Sequence, residues 1–123
     1  MVLVDTSVWI RYLSNRAPFA AGLDRLLELD EVTGHELVYG ELLIGDRGGR
    51  RKLLAAYELI HQATLVPHRD VVQFVHARDL HGRGLGWIDI HLLASAIVGR
   101  MQLWTVDQRF SAVAKEFGIA YEQ

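Results

Sequence analysis

The stretch Val2-Leu3-Val4-Asp5-Thr6-Ser7 runs three apolar residues, two of them β-branched, into an acid and two hydroxyl residues. Such a run predicts a strand buried on both faces, as in the middle of a parallel sheet, and Thr6 or Ser7 is suited to cap a following helix. Asp5 is thereby expected at the carboxyl end of a central strand. Open α/β sheets collect their ligands there, and a carboxylate on rigid backbone suits a hard cation.

Outward from this strand, residues 7–14, 18–30, 35–44, 50–63, 70–81, 87–99 and 108–117 carry apolar residues at helical spacing. Segments 31–34, 64–66, 102–106 and 119–121 read as further strands, and Gly82, Gly84 and Gly86 as a flexible connector. Strands alternating with helices predict a parallel sheet covered by helices on both faces. No repeat, low-complexity tract or linker divides the sequence, so one domain over 1–123 is expected. At 123 residues and 50% hydrophobic content, such a domain buries a core without covalent staples.

The absence of cysteine excludes disulfides, zinc-thiolate sites and thiol nucleophiles, and suits a reducing cytoplasm. No apolar run approaches the roughly 18 residues of a membrane span, and Asp5 and Arg11 interrupt any secretory pattern at the start. The expectation is a soluble cytoplasmic protein. The formal charge of −2 argues at first against a polyanionic partner. Setting four of the 15 acids aside at a metal site leaves 11 against 13 bases, a slightly basic remainder.

Four acids stand out. Asp107 follows Leu103-Trp104-Thr105-Val106 as Asp5 follows the first strand. If the two strands are neighbours, their ends lie about 5 Å apart. Glu41 shares a helix face with Leu37, Val38 and Gly45, and no Lys or Arg stands three or four residues away to neutralise it. Asp89 opens a helix that is apolar nearly all round, through Ile90, Leu92, Leu93, Ala94, Ala96, Ile97 and Val98. Taken singly, Asp5, Asp89 and Asp107 read equally well as helix caps, whereas Glu41 is anomalous on its apolar stripe, the lesser alternative being a rim residue that reaches solvent.

Together, Val4-Asp5-Thr6-Ser7-Val8, Gly40-Glu41-Leu42-Leu43-Ile44-Gly45, Gly86-Trp87-Ile88-Asp89-Ile90-His91-Leu92-Leu93-Ala94 and Leu103-Trp104-Thr105-Val106-Asp107 resemble the ordered acidic motifs of PIN-domain nucleases. The nearest likeness is to VapC-type toxins of bacterial toxin–antitoxin operons, over nearly the whole chain. The resemblance implies a three-layer α/β/α domain whose parallel sheet of about five strands has the order 3-2-1-4-5. It also implies a metal-dependent endoribonuclease, a homodimer, and a VapB-like antitoxin that covers the acidic site. Asp5, Glu41, Asp89 and Asp107 would be its catalytic and metal-holding residues, with Asp107 the least uniform of the four in the family.

An all-oxygen set without Cys or a spaced His pair favours Mg²⁺, or Mn²⁺, over Zn²⁺. The expected reaction is metal-assisted hydrolysis of an RNA phosphodiester by in-line attack of water. Thr6 and Thr105 are candidate supports through hydroxyl hydrogen bonds. Arg47, Arg50, Arg51 and Lys52 form the one basic cluster, readable as a phosphate-backbone contact or as a solvated loop. His76, His81 and His91 make no catalytic set, and Trp9, Trp87 and Trp104 read as core or interface residues rather than base-stacking platforms. Two rivals share the sheet type. A phosphatase or phospho-acceptor would need a second Asp where Ser7 stands, or a receiver-type Lys. A catalytically idle RNA-binding or interaction module has no use for an intact acidic quartet.

Overall fold

A computed structural model describes residues 1–123. The chain runs β1 (Val2–Val4), α1 (Thr6–Leu13), α2 (Phe19–Glu28), β2 (Val32–Gly34), α3 (Glu36–Ile44), α4 (Arg51–Tyr57), β3 (His61–Gln62), α5 (His68–Arg78), α6 (Trp87–Val98), β4 (Gln102–Trp104) and α7 (Gln108–Glu116). All strand pairs are parallel, and the order is β3-β2-β1-β4. Leu3 sits opposite Thr33 on one side and Leu103 on the other. Successive residues of β1 point to opposite faces, yet all three are buried, so packing covers the sheet above and below. Twenty-five buried apolar residues from sheet and helices form one contiguous core.

The expected fifth strand is reduced to a single bridge between Ala120 and Leu103. Gly118, at φ +71°, turns the chain just before it, and only the bonds from Leu103 N–H to Ile119 C=O and from Tyr121 N–H to Leu103 C=O form. Its place beside β4 keeps the expected order. β4 itself stops at Trp104 instead of reaching 106. The Val106 amide donates to Ser7 Oγ and the Asp107 amide to Thr105 Oγ1, so side chains replace the ladder there.

The helix expected over 50–63 ends at Tyr57, and the strand expected over 64–66 lies at His61–Gln62 instead. Tyr57 is buried with its hydroxyl on the His35 amide, and Gln62 Nε2 donates to the Tyr57 and Ile60 carbonyls, closing the helix end. β3 pairs with Thr33 and Gly34, and one further bond joins Ala63 N–H to Gly34 C=O. Beyond Gly34 the neighbouring chain enters α3. Residues 64–66 therefore have no strand to pair with, and Leu65 is exposed.

Candidate active site

Asp5 leaves β1 where β1 and β4 lie side by side, and its amide donates to the Trp104 carbonyl. Asp5, rather than Thr6 or Ser7, is the N-cap residue of α1, but its carboxylate does not bond the helix amides. Asp5 Oδ2 accepts from Ser7 Oγ at 2.7 Å and from Thr105 Oγ1 at 2.8 Å. Each hydroxyl has one proton, so with both spent on Asp5 the 3.3 Å Ser7–Thr105 approach is a contact, not a third bond. The other oxygen, Oδ1, has no protein partner, although Asp5 is only 6% exposed.

Glu41 reaches the same place from α3. It is half-buried beside Val38 and Leu42, and its Oε1 accepts from Thr6 Oγ1 at 2.6 Å. Thr6 and Thr105, expected as supports, thus aim two of the four acids, and Ser7 does as much. The sequence reading gave Ser7 only a capping role; its signal was the repeated hydroxyl directly after the strand-end acid.

Asp89 lies in the first turn of α6, where its Oδ2 accepts from the Gly86 amide at 3.0 Å. Burial pushes its carboxyl up to about 6, the Gly86 bond opposes this, and the charges of Asp5, Asp107 and Glu41 raise it further. Asp89 is therefore close enough to feel the charge of each of the other three. Asp107 is exposed, caps α7 through a 2.9 Å bond from the Phe110 amide, and donates its own amide to Thr105. The capping roles weighed for Asp89 and Asp107 are both present. None of the four acids has a Lys, Arg or His in ion-pair range.

The side chains do not stand as a ready ligand cage: no three acids or histidines are grouped closely enough to share one ion. Two of the acids are held by local bonds, Asp89 by the Gly86 amide and Asp107 by the Phe110 amide. In donor chemistry and charge the quartet nonetheless suits a divalent ion, because its donors are all oxygens, no cation pairs with them, and Asp5 Oδ1 has no protein partner.

Behind Glu41 lies a buried relay that sequence reasoning passed over. His35, fully buried, caps α3 by accepting from the Leu37 amide at Nδ1, which leaves the proton on Nε2. Nε2 donates to Ser95 Oγ at 3.0 Å, and Ser95 donates to the Thr64 carbonyl at 2.8 Å. Burial, with the neighbouring His91, lowers the imidazole to about 4. The relay joins α3 to α6, the two helices that carry Glu41 and Asp89.

The basic cluster divides. Arg50 donates to the Leu42 carbonyl at 2.8 Å, closing the end of α3, whereas Arg47, Arg51 and Lys52 are exposed and unpaired. Arg109, which the sequence reading did not single out, packs so closely on Gly84 that any β-carbon there would collide with it. A cation thus stands two residues from Asp107.

Residues 2–116 match the PIN domain family model. The chain is 44% identical over 124 aligned positions to Ribonuclease VapC32 of Mycobacterium tuberculosis, in strains CDC 1551 / Oshkosh and ATCC 25618 / H37Rv, covering 98% of this chain and 95% of that protein. The crystal structure of FitAcB from Neisseria gonorrhoeae superposes with a TM-score of 0.61 at 22% identity, covering 94% of each chain, a likeness of fold.

Proposed function

The chain belongs to the PIN-domain family, and on that premise we propose that it is a metal-dependent endoribonuclease, the toxin of a toxin–antitoxin pair. Identity to a named ribonuclease along nearly the full length supports the activity. The observation that supports the assignment to a site is that Thr6 holds Glu41 while its chain neighbours Asp5 and Ser7 bond each other and Thr105 holds Asp5, with Asp89 in electrostatic reach of Asp5, Glu41 and Asp107 and no cation paired to any of the four.

Asp5, Glu41, Asp89 and Asp107 are the residues that would hold the metal, with Mg²⁺ the finer choice and Mn²⁺ the alternative. When bound, the ion supplies Lewis-acid stabilisation of charge at phosphorus and an acidified water. The chain's own part is alignment. Ser7 and Thr105 fix one Asp5 oxygen and leave the other free, and Thr6 does the same for Glu41. Asp89 and Asp107 would exchange their bonds to Gly86 and Phe110 for the ion. Arg47, Arg51, Lys52 and Arg109 are the cations available to phosphates on either side; Arg50 is already committed to α3.

The partner reading is a VapB-like antitoxin and a second copy of the chain. Trp9, Tyr12, Leu27, Leu53, Ala56, Tyr57 and Ile60 line an all-apolar cavity of about 150 Å³ between α1, α2 and α4, and Trp9 Nε1 is buried beside it without an acceptor. Action in the cytoplasm fits this pairing; no helix is long and apolar enough to cross a membrane.

Incubating purified chain with RNA and Mg²⁺ tests the activity. Internal cleavage that stops with EDTA, and falls at least 100-fold in Asp5→Asn and Asp89→Asn, is the expected result. Undiminished cutting by both variants would remove these acids from the mechanism.

A further inference from the structure

Of three tryptophans, Trp9 and Trp104 are core residues at 2% and 4% exposure, while Trp87 is 43% exposed and takes no part in the core. Of the two roles expected for Trp87, core or interface, this removes the core, and a large apolar ring left in water calls for a use. Trp87 is not loose. Its ring lies 5.2 Å from that of His68, the first residue of α5, and 5.0 Å from that of His91, one turn along α6, at 86°. Two rings from two helices hold it in place, and it opens the same helical turn as Asp89.

We propose that Trp87 is a stacking platform for a nucleobase of single-stranded RNA flanking the cleaved bond. The inference rests on the ribonuclease reading and extends it to a base-binding subsite. Two residues correspond to about 200° around a helix, so Trp87 and Asp89 face apart across a width of roughly 10 Å. At about 3.4 Å or more per nucleotide, a strand held at the acids reaches Trp87 within a few nucleotides. An aromatic face accepts any base, and removing such a contact weakens binding by roughly 5- to 100-fold. The half-exposed, histidine-braced ring thus offers affinity without a demand for base identity. His68 and the adjacent exposed Arg69 put polar and cationic groups at the same corner.

The test uses the chain carrying Asp5→Asn, so that RNA is bound but not cut, with Mg²⁺ and a pool of random 12-nucleotide single-stranded RNAs. Acrylamide quenching reads the tryptophans, and only Trp87 is open to it. RNA is expected to protect that emission. Trp87→Phe should bind RNA within a few-fold and lose the protection signal, whereas Trp87→Leu and Trp87→Ala should weaken binding roughly 5- to 100-fold at an unchanged melting temperature. In the active chain the loss should appear in KM and leave kcat. Phe against Leu separates stacking from burial, and stands even if the alanine variant folds poorly. Equal affinity of the Leu and Phe variants overturns the proposal, as does protection that follows protein concentration without RNA, which would make Trp87 a contact between copies. If the wild-type chain cuts RNA and Trp87→Leu cuts it equally well, only the platform falls; if no variant binds or cuts RNA, the nuclease reading falls with it.

Discussion

At Asp5 the arrangement separates two jobs within one carboxylate. Oδ2 is held by Ser7 and Thr105, and Oδ1 is left for a ligand. Removing a group that orients a metal ligand typically costs 10- to 100-fold in metal affinity or activity. Thr105→Val is therefore expected to raise the Mg²⁺ concentration for half-maximal cleavage by about 10-fold or more, read from a metal titration; an unchanged titration would make the bond incidental. Asp89 is strained in the opposite sense, since a carboxyl pushed up to about 6 pays for being charged above that pH. Asp89→Asn should stabilise the metal-free protein at pH 8, by about 1 kcal/mol after allowance for solvent screening, seen as a melting temperature a few degrees higher in EDTA. The gain should vanish when Mg²⁺ is added. His35 predicts a pH dependence. Its pKa is lowered to about 4 from an ordinary 6.5, so between these values the unfolded chain binds a proton that the folded chain refuses. Its stabilising contribution is complete above pH 6.5 and is lost as pH falls toward 4, on the order of 3 kcal/mol. Denaturant titrations across that window should show a shallower decline in His35→Asn, which keeps a capping oxygen but cannot be protonated.

Helix α3 shows how an element sets a side chain. His35 closes its start, Arg50 closes its end through the Leu42 carbonyl, and Val38 and Leu42 fix the face on which Glu41 stands. Arg50→Ala should lower unfolding stability by about 1 kcal/mol. Arg47→Ala, Arg51→Ala and Lys52→Ala should leave stability unchanged while reducing the salt dependence of RNA binding by about one charge each; equal behaviour of all four in both assays would contradict the division. The sequence showed Glu41 clearly because an acid on an apolar stripe without a nearby base is anomalous. It did not separate Arg50 from its neighbours, because a cation eight residues from the carbonyl it caps leaves no local pattern. The misplaced third strand has a similar cause. Thr64-Leu65-Val66 has the better strand composition, but pairing needs a neighbour, and β2 runs out at Gly34, so His61 and Gln62 pair instead.

Over the whole molecule, the parallel order β3-β2-β1-β4 puts the ends of β1 and β4 together, while α3 and α6, linked through His35 and Ser95, bring Glu41 and Asp89 to the same side. The position of each acid was legible because each stands at an element boundary or on an apolar stripe, whereas the strand order that sets β1 beside β4 came from the family resemblance. Trp87 and Arg109 were not legible, since exposure and contact across a glycine connector arise only from tertiary packing. Nor was the missing cage, which depends on each side chain's local bonds. The central claim is that these distant acids form one divalent-ion site, and Mn²⁺ titration followed by electron paramagnetic resonance addresses it without reference to any substrate. Wild-type chain should take up Mn²⁺ at millimolar concentrations or below, in competition with Mg²⁺, and Asp5→Asn and Asp89→Asn should each lose at least 10-fold in affinity. No uptake by the wild type, or equal uptake by all three, would contradict it.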